Sequence, residues 1–206
     1  METIAGLKAG QFEGLVKCIE FHGHLCPGLV YGYLVGKESL RIFGLKRSKD
    51  EEIVAVSEND SCSVDALQII LGTTTGKGNL FLKDYGKNVY TVISRHTEKA
   101  YRFSRKNSYE YTGKHKDEFI KLESAVSSGK ATPEESKRQK ILKATDLLKK
   151  PFKDVFSMEE VIFPMPSYAQ LAPSRACEKC GEMTMSTKMV KVKDDICLCV
   201  PCAETD

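Results

Sequence analysis

The chain has 206 residues, room for one ordinary domain and a small module, and a composition (41% hydrophobic, 29% charged) typical of folded proteins. With 31 basic against 28 acidic residues, the net charge of +3 excludes a polyelectrolyte-type binder of nucleic acid or anionic membrane on composition alone. The longest apolar stretch, residues 25–36, is too short to span a bilayer, and residues 1–8 lack the basic start and apolar run of a secretion signal, so the expected location is the cytoplasm.

Apolar residues at Phe12, Leu15, Val16 and Ile19 have helical spacing and predict a helix over residues 10–21. It ends near His22-Gly23-His24, and Pro27 opens a second helix running to Phe43, with Gly44 as its stop. Gly28, Gly32 and Gly36 lie four residues apart on one face of that helix. They predict close approach of another helix, which we expect in a homodimer. Residues 53–57 form a buried strand, and Asp60-Ser61-Cys62-Ser63 offers caps for a helix from Val64 to Leu71. Residues 79–82 and 89–94 predict two strands paired as a hairpin around Asp84-Tyr85-Gly86-Lys87. Residues 98–113 give no assignable pattern. Helices follow over 114–127 and from Pro133 to about Lys150, the latter behind a Thr132…Glu135 capping box. The boundary between a core domain (1–172) and a C-terminal module (173–206) is expected near Pro173.

Eight cysteines in a cytoplasmic chain argue for metal or catalytic thiols rather than disulfides. Five lie between Cys177 and Cys202. Cys177-x-x-Cys180-Gly181 and Cys199-x-x-Cys202 have the spacing of two zinc knuckles across a hairpin turning at Lys193-Asp194-Asp195, with Cys197 left spare. The same thiols could hold an iron–sulfur cluster, but the paired spacing favours Zn²⁺. So short a module cannot bury a stable core, so bound metal must supply much of its folding free energy. No basic, aromatic-rich surface accompanies it, so scaffolding or protein docking outweighs nucleic-acid binding.

Phe21-His22-Gly23-His24-Leu25-Cys26-Pro27-Gly28 places two imidazoles and a thiol on one loop. These groups serve both as transition-metal ligands and as acid/base and nucleophile. The plainer alternative, a capping histidine and a cysteine packed as a small hydrophobe, is less favoured. Cys62 precedes a helix start, where free amides and the helix dipole stabilise a thiolate; Asp65 lies one turn further and Glu58 ends the preceding strand. Gly72-Thr-Thr-Thr-Gly76-Lys77-Gly78 is not a phosphate loop, since it is one residue short and follows a helix rather than a strand.

Taken together, the blocks 21–28, Glu58 through Cys62 to Ala66, Gly76-Lys77-Gly78-Asn79-Leu80 and Asp84-Tyr85-Gly86-Lys87 resemble the FmdE family of formylmethanofuran dehydrogenase proteins. The resemblance implies an α+β core domain of helices packed on a small, mostly antiparallel sheet, followed by a small zinc ribbon. It also implies an intertwined homodimer and a link to molybdenum or tungsten oxidoreductase subunits and one-carbon chemistry. It implies a site in which His24, Cys26 and Cys62 converge as catalytic groups, Lys77 holding an anionic ligand and Asp84 orienting a partner. His22, His24 and Cys62 would be ligands to a second transition metal, beside Cys177, Cys180, Cys199 and Cys202 for zinc. Thr73 stands where family members commonly carry a cysteine, so that thiol is missing here. The other function class is a non-catalytic accessory module that docks a larger complex through its ribbon.

Overall fold

The structure, a computed structural model, describes residues 12–106, 109–192 and 195–205. Glycine and proline set the ends of its first helices. Helix α1 (Glu13–His22) buries Leu15 and Cys18 and stops at Gly23, whose φ of 91° lets its amide donate back to Ile19 O at 2.7 Å. Residues 10 and 11 of the expected helix lie outside the described residues. Helix α2 (Pro27–Phe43) starts with Cys26 as its cap, the Sγ accepting from the Leu29 amide at 3.4 Å, and stops at Gly44. Helix α3 (Ser63–Leu71) lies against it and buries Val64, Ala66, Leu67, Ile70 and Leu71.

The glycine stripe of α2 faces α3 of the same chain. A Cβ on Gly32 would lie 2.0 Å from the Ser63 carbonyl oxygen, one on Gly36 2.8 Å from the Ile70 side chain, and one on Gly28 3.1 Å from Cys62 Cβ. The close approach predicted from the spacing is therefore real, but the helix it admits is internal, and the stripe is no argument for a second copy. Its consequence is local: the starts of α2 and α3, with Cys26 and Cys62, are drawn together.

The central sheet contains β1 (Ile53–Ser57), β2 (Leu80–Leu82), β3 (Val89–Ser94), β4 (Ala100–Arg105) and β5 (Phe156–Val161) in the order β2-β1-β3-β4-β5. Only β1 and β2 are parallel. The expected hairpin of β2 with β3 is overturned, because β1 lies between them, pairing Ala55 with both Leu80 and Val92. The intervening turn wraps the end of β1: the amides of Tyr85 and Lys87 donate to Glu58 O at 3.1 and 3.0 Å. That non-local pairing satisfies backbone groups which local turn chemistry assigns to a hairpin.

Helices α4 (Lys116–Ser127) and α5 (Pro133–Leu147) follow β4, and the Thr132–Glu135 capping box forms with both of its hydrogen bonds. A single turn, α6 (Phe152–Val155), leads into β5. The core between helices and sheet contains Val30, Val35, Leu67, Leu71, Tyr90, Val92, Phe103, Leu147 and Phe156. Burial of each large apolar side chain is worth about 1.5–3 kcal/mol. The fold class is thus α+β, with a mixed, mainly antiparallel sheet.

The chain divides into two compact units, Met1–Tyr168 and Ala169–Asp206. The second holds two short antiparallel pairs, β6 (Ser174–Ala176) with β7 (Met183–Met185) and β8 (Met189–Lys191) with β9 (Cys197–Cys199), closed by α7 (Val200–Glu204). Its buried residues are Cys177, Leu198 and Cys199, with Val192, Cys202 and Ala203 packed on them. Lys193 and Asp194, expected in its turn, lie outside the described residues; Asp195 has φ 64°. Among the described residues no helix is long and apolar enough to cross a membrane.

Candidate metal centres

The first cluster forms where α1 ends and α2 begins. Gly23 turns the chain so that the side chains of His22, His24 and Cys26 face one another, their ligand atoms all within 4.8 Å. The two imidazole centroids are 4.5 Å apart, and Cys26 Sγ is 3.8 Å from His22 Nε2. His22 Nδ1 is 2.7 Å from Asp65 Oδ2, and the other Asp65 oxygen accepts from Gln68 Nε2 at 3.2 Å. A carboxylate on Nδ1 fixes the ring and leaves the Nε2 lone pair facing Cys26, which is how metal-binding histidines are held. Two imidazoles and a thiol form a set suited to a transition metal, with a coordination position left for another group. The donor chemistry therefore fits.

The electrostatics fit as well. Partial desolvation, then neighbouring His22 and Lys140, lower the His24 pKa and favour the neutral imidazole that ligates metals. Burial pushes the Cys26 thiol up to about 11, against the pull of the Leu29 amide. A bound cation would reverse that, since a coordinated thiol is deprotonated.

Cys62 stands beside this trio rather than within it. A Cβ on Gly28 would lie 3.7 Å from Cys62 Sγ and 3.9 Å from Cys26 Sγ, so both thiols border the bare face of Gly28. A network not apparent in the sequence holds the Cys62 segment. Asn59 Oδ1 accepts from Ser61 N at 3.2 Å, Ser61 Oγ at 2.7 Å and Ser63 Oγ at 3.2 Å, and Tyr90 OH donates to Ser63 Oγ at 2.8 Å. Glu58 is taken up by Arg102 at 3.1 Å and Lys87 at 3.9 Å.

Lys77 and Asp84 are not brought into the cluster. Lys77 lies past the far end of α3, and its Nζ donates to Asp50 O at 2.9 Å, near the start of β1. The nine residues of α3 put Thr73 and Lys77 about 13 Å along the helix from Cys62. Thr73 itself is fully buried, its hydroxyl 3.5 Å from Leu67 O. Asp84 is exposed on the turn after β2, at the Cys62 end of β1, and none of its side-chain contacts among the described residues reaches the histidine–cysteine loop.

In the second unit the ligand atoms of Cys177, Cys180, Cys199 and Cys202 lie within 4.8 Å of one another, with Cys180 and Cys199 Sγ 3.8 Å apart. Gly181, at φ 78°, turns the first knuckle. Amides of Cys180 and Cys199 hold the Cys177 thiol down to about 6, which favours the thiolate form that a metal takes. Hydrogen bonding to Cys199 raises Cys202 to about 12 in the metal-free form. Cys197 is outside the group: its amide donates to Glu178 Oε1 at 2.9 Å and its Sγ faces Asp195 O at 3.7 Å.

Residues 21–163 match the family model FmdE, described as molybdenum formylmethanofuran dehydrogenase operon. The chain belongs to the FmdE family. The matched span contains the histidine–cysteine loop, Cys62 and Asp65, and ends before the four-cysteine unit. This FmdE member is 28% identical, over 221 aligned positions, to an Archaeoglobus fulgidus protein named as a probable S-adenosyl-L-methionine-binding protein. The alignment covers 96% of this chain but 58% of that protein, so the chain spans little more than half of its curated relative. The fold is that of a tungsten formylmethanofuran dehydrogenase FmdE-like protein from Syntrophus aciditrophicus, at a TM-score of 0.56 and 21% identity, covering 95% and 93% of the two chains.

Proposed function

We propose that this FmdE-family protein carries two metals: a transition metal held by His22, His24 and Cys26, and a structural zinc held by Cys177, Cys180, Cys199 and Cys202. The observation that supports the first site best is Asp65 on His22 Nδ1 at 2.7 Å, because it fixes the ring with Nε2 turned to the other donors. When bound there, the metal would supply Lewis acidity to a small ligand in its open position. Around it, Asp65 orients His22, and Cys26 contributes the buried thiolate. Cys62, half-buried at the start of α3, is the reactive thiol at the rim. We further propose that the site serves one-carbon chemistry of molybdenum or tungsten formylmethanofuran systems, a reading that family membership supports, and that the protein works in the cytoplasm as a homodimer.

Elemental analysis of the purified chain tests this reading. Two metal equivalents per chain are expected, falling to one in His24→Ala; one equivalent in both would leave only the ribbon. Cys62 should alkylate with iodoacetamide in the native protein, more slowly with the core metal bound, whereas reaction only in denaturant would remove its role. The name of the Archaeoglobus relative makes S-adenosyl-L-methionine a ligand to titrate in parallel.

A second reading is an accessory protein that docks a larger oxidoreductase through the ribbon. It is favoured by the apolar side chains which that unit exposes, Met183 at 69% and Val200 at 43%. Co-purification of oxidoreductase subunits with the full chain, lost on removal of residues 169–206, would support it.

A further inference from the structure

Two of the three cysteines in the first unit meet at one spot. Cys26 caps α2, Cys62 immediately precedes α3, and the glycine stripe presses those two helix starts together. A Cβ on Gly28 would lie 3.1 Å from Cys62 Cβ, 3.7 Å from Cys62 Sγ and 3.9 Å from Cys26 Sγ, so both side chains reach the same point. Both also pack in the cluster of Leu15, Leu29, Ala66 and Ile70, Cys26 enclosed within it and Cys62 half-buried at its edge. The acidity of Cys26 is set by burial, by the Leu29 amide and, next, by Cys62, so the two thiols sense each other.

The third cysteine, Cys18, is poorly suited to join them. It is wholly enclosed on α1, where burial, and then the Asp65 charge, pushes its thiol up to about 12. It therefore offers almost no thiolate, the reactive form. Cys62 is the accessible member of the pair, and Cys26 is the thiol that waits behind it.

We propose that Cys26 and Cys62 form a reversible disulfide, a redox switch that takes Cys26 away from His22 and His24. The oxidant is a hydroperoxide. Cys62 attacks as the thiolate: its sulfur bonds to one peroxide oxygen while the O–O bond breaks, giving a sulfenic acid and, from hydrogen peroxide, one water. The Cys26 sulfur then attacks the Cys62 sulfur, the S–O bond breaks, and hydroxide leaves with the Cys26 proton as a second water. In sum two thiols lose two electrons and two protons, and one hydrogen peroxide becomes two waters. Exchange with a small thiol restores the pair. A disulfide sulfur is no longer the thiolate that a metal takes, so the closed bond leaves the cluster with its two histidines alone. That Cys26 holds a metal rests on the reading above; the disulfide itself does not.

The test treats the full chain, metals in place, with hydrogen peroxide in small molar excess and then blocks free thiols with iodoacetamide. Peptides are mapped by mass spectrometry without reduction, using trypsin and a glutamate-specific protease, which cuts between Cys18 and Cys26 at Glu20. A Cys26–Cys62 cross-linked peptide is expected, and the phosphine reductant TCEP should abolish it. In the same samples wild type should lose one metal equivalent more than Cys62→Ser, which keeps the three core donors but cannot form the bond. No such cross-link, or one joining Cys26 or Cys62 chiefly to Cys18 or to the ribbon thiols, overturns the proposal. That mapping needs no variant, so it decides the matter if Cys62→Ser does not fold. Equal metal loss in wild type and Cys62→Ser overturns the switch. A chain that starts with ribbon metal alone and still forms the cross-link sinks the metal reading and sustains the disulfide, so the two failures are told apart.

Discussion

In the first unit the histidine–cysteine loop hangs on helices whose apolar side chains are already buried, whereas in the second the ligand thiols are themselves much of what is buried. Leu15, Leu29, Leu67, Leu71, Tyr90, Phe103 and Phe156 are almost wholly enclosed in the first unit; the second encloses Cys177, Leu198 and Cys199. Metal bound as proposed would therefore have opposite relations to folding in the two places. In the ribbon, binding free energy is folding free energy, about 10–16 kcal/mol in comparable zinc modules. In the core, the fold brings the donors together without it, so a metal bound there as proposed would leave its contribution available for chemistry.

The largest effect that could break this contrast is in the ribbon. Removing metal with a chelator, or replacing Cys199 or Cys202 with serine, should unfold residues 169–206 while the first unit keeps its cooperative melting. Cys197→Ser should retain the metal, because its thiol lies outside the group. Zinc content and backbone NMR of the two regions check this; a ribbon that stays ordered without metal would end the comparison. The complementary experiment strikes the framework of the first unit. Gly32→Leu puts a side chain where a Cβ already meets the Ser63 carbonyl at 2.0 Å, a backbone atom that cannot swing away. The expected cost is about 3 kcal/mol or more, at or beyond the upper end of ordinary overpacking. The core melt should drop while zinc stays in the ribbon. An unchanged melting temperature would mean that α2 and α3 do not pack this way.

What was readable in advance follows from the same contrast. The ribbon thiols gather through local spacing, so two Cys-x-x-Cys pairs reveal their grouping directly. The starts of α2 and α5 are local too, set by Pro27 and by the Thr132–Glu135 box. The sheet was not local. Nothing near Asp84 says that β1, more than twenty residues earlier, would slip between β2 and β3, and Glu58 O collects the amides that suggested a hairpin. Strand β5 was missed because it is an edge strand, with Glu159 and Glu160 exposed in its middle, and polar β4 was hidden beside it. In the site, Cys26 joins the two histidines through its position as the α2 cap, while Cys62 approaches only because three glycines let α3 in. Lys77 could be drawn toward the cluster only by analogy, and the length of α3 keeps it away.

A third, smaller test sharpens the claim that the core donors are preorganised by the fold. Asp65→Asn should leave the melting temperature nearly unchanged, because the residue is half-exposed and its loss opens no cavity. It should still weaken core metal binding about 10–100-fold, the usual effect of removing the carboxylate behind a ligating histidine. Competition titration against a chelator measures it. Equal affinity in Asp65→Asn would mean that His22 is not a ligand, while a large loss of stability would mean that the pair is structural.

The smallest effect separates the two units by acid. Ribbon thiolates must stay deprotonated to hold metal, so acidification should release zinc and unfold the second unit first. The first unit has a carboxylate working the other way. Glu52 accepts from Ser48 Oγ at 2.5 Å and from the Asp50 amide at 2.8 Å, and the Ser48 hydroxyl, with these amides, holds its pKa down to about 2. A folded pKa below the unfolded one gives stability that is fully present above the unfolded value, about 4.5. That stability is lost as the pH falls through the folded value near 2. Glu52 is exposed, so solvent screening limits the gain to about 1 kcal/mol or less. Glu52→Gln should therefore lower the first unit's stability slightly at pH 7, and the difference from wild type should shrink to nothing between pH 4.5 and 2. Zinc release, governed by thiols elsewhere in the chain, should follow the same pH course in both proteins. Denaturant melts at stepped pH, read with zinc content, decide it. A difference that persists unchanged to pH 2 would show that the Glu52 charge contributes nothing. A shift in the zinc-release midpoint would show that the two units are energetically coupled rather than separate.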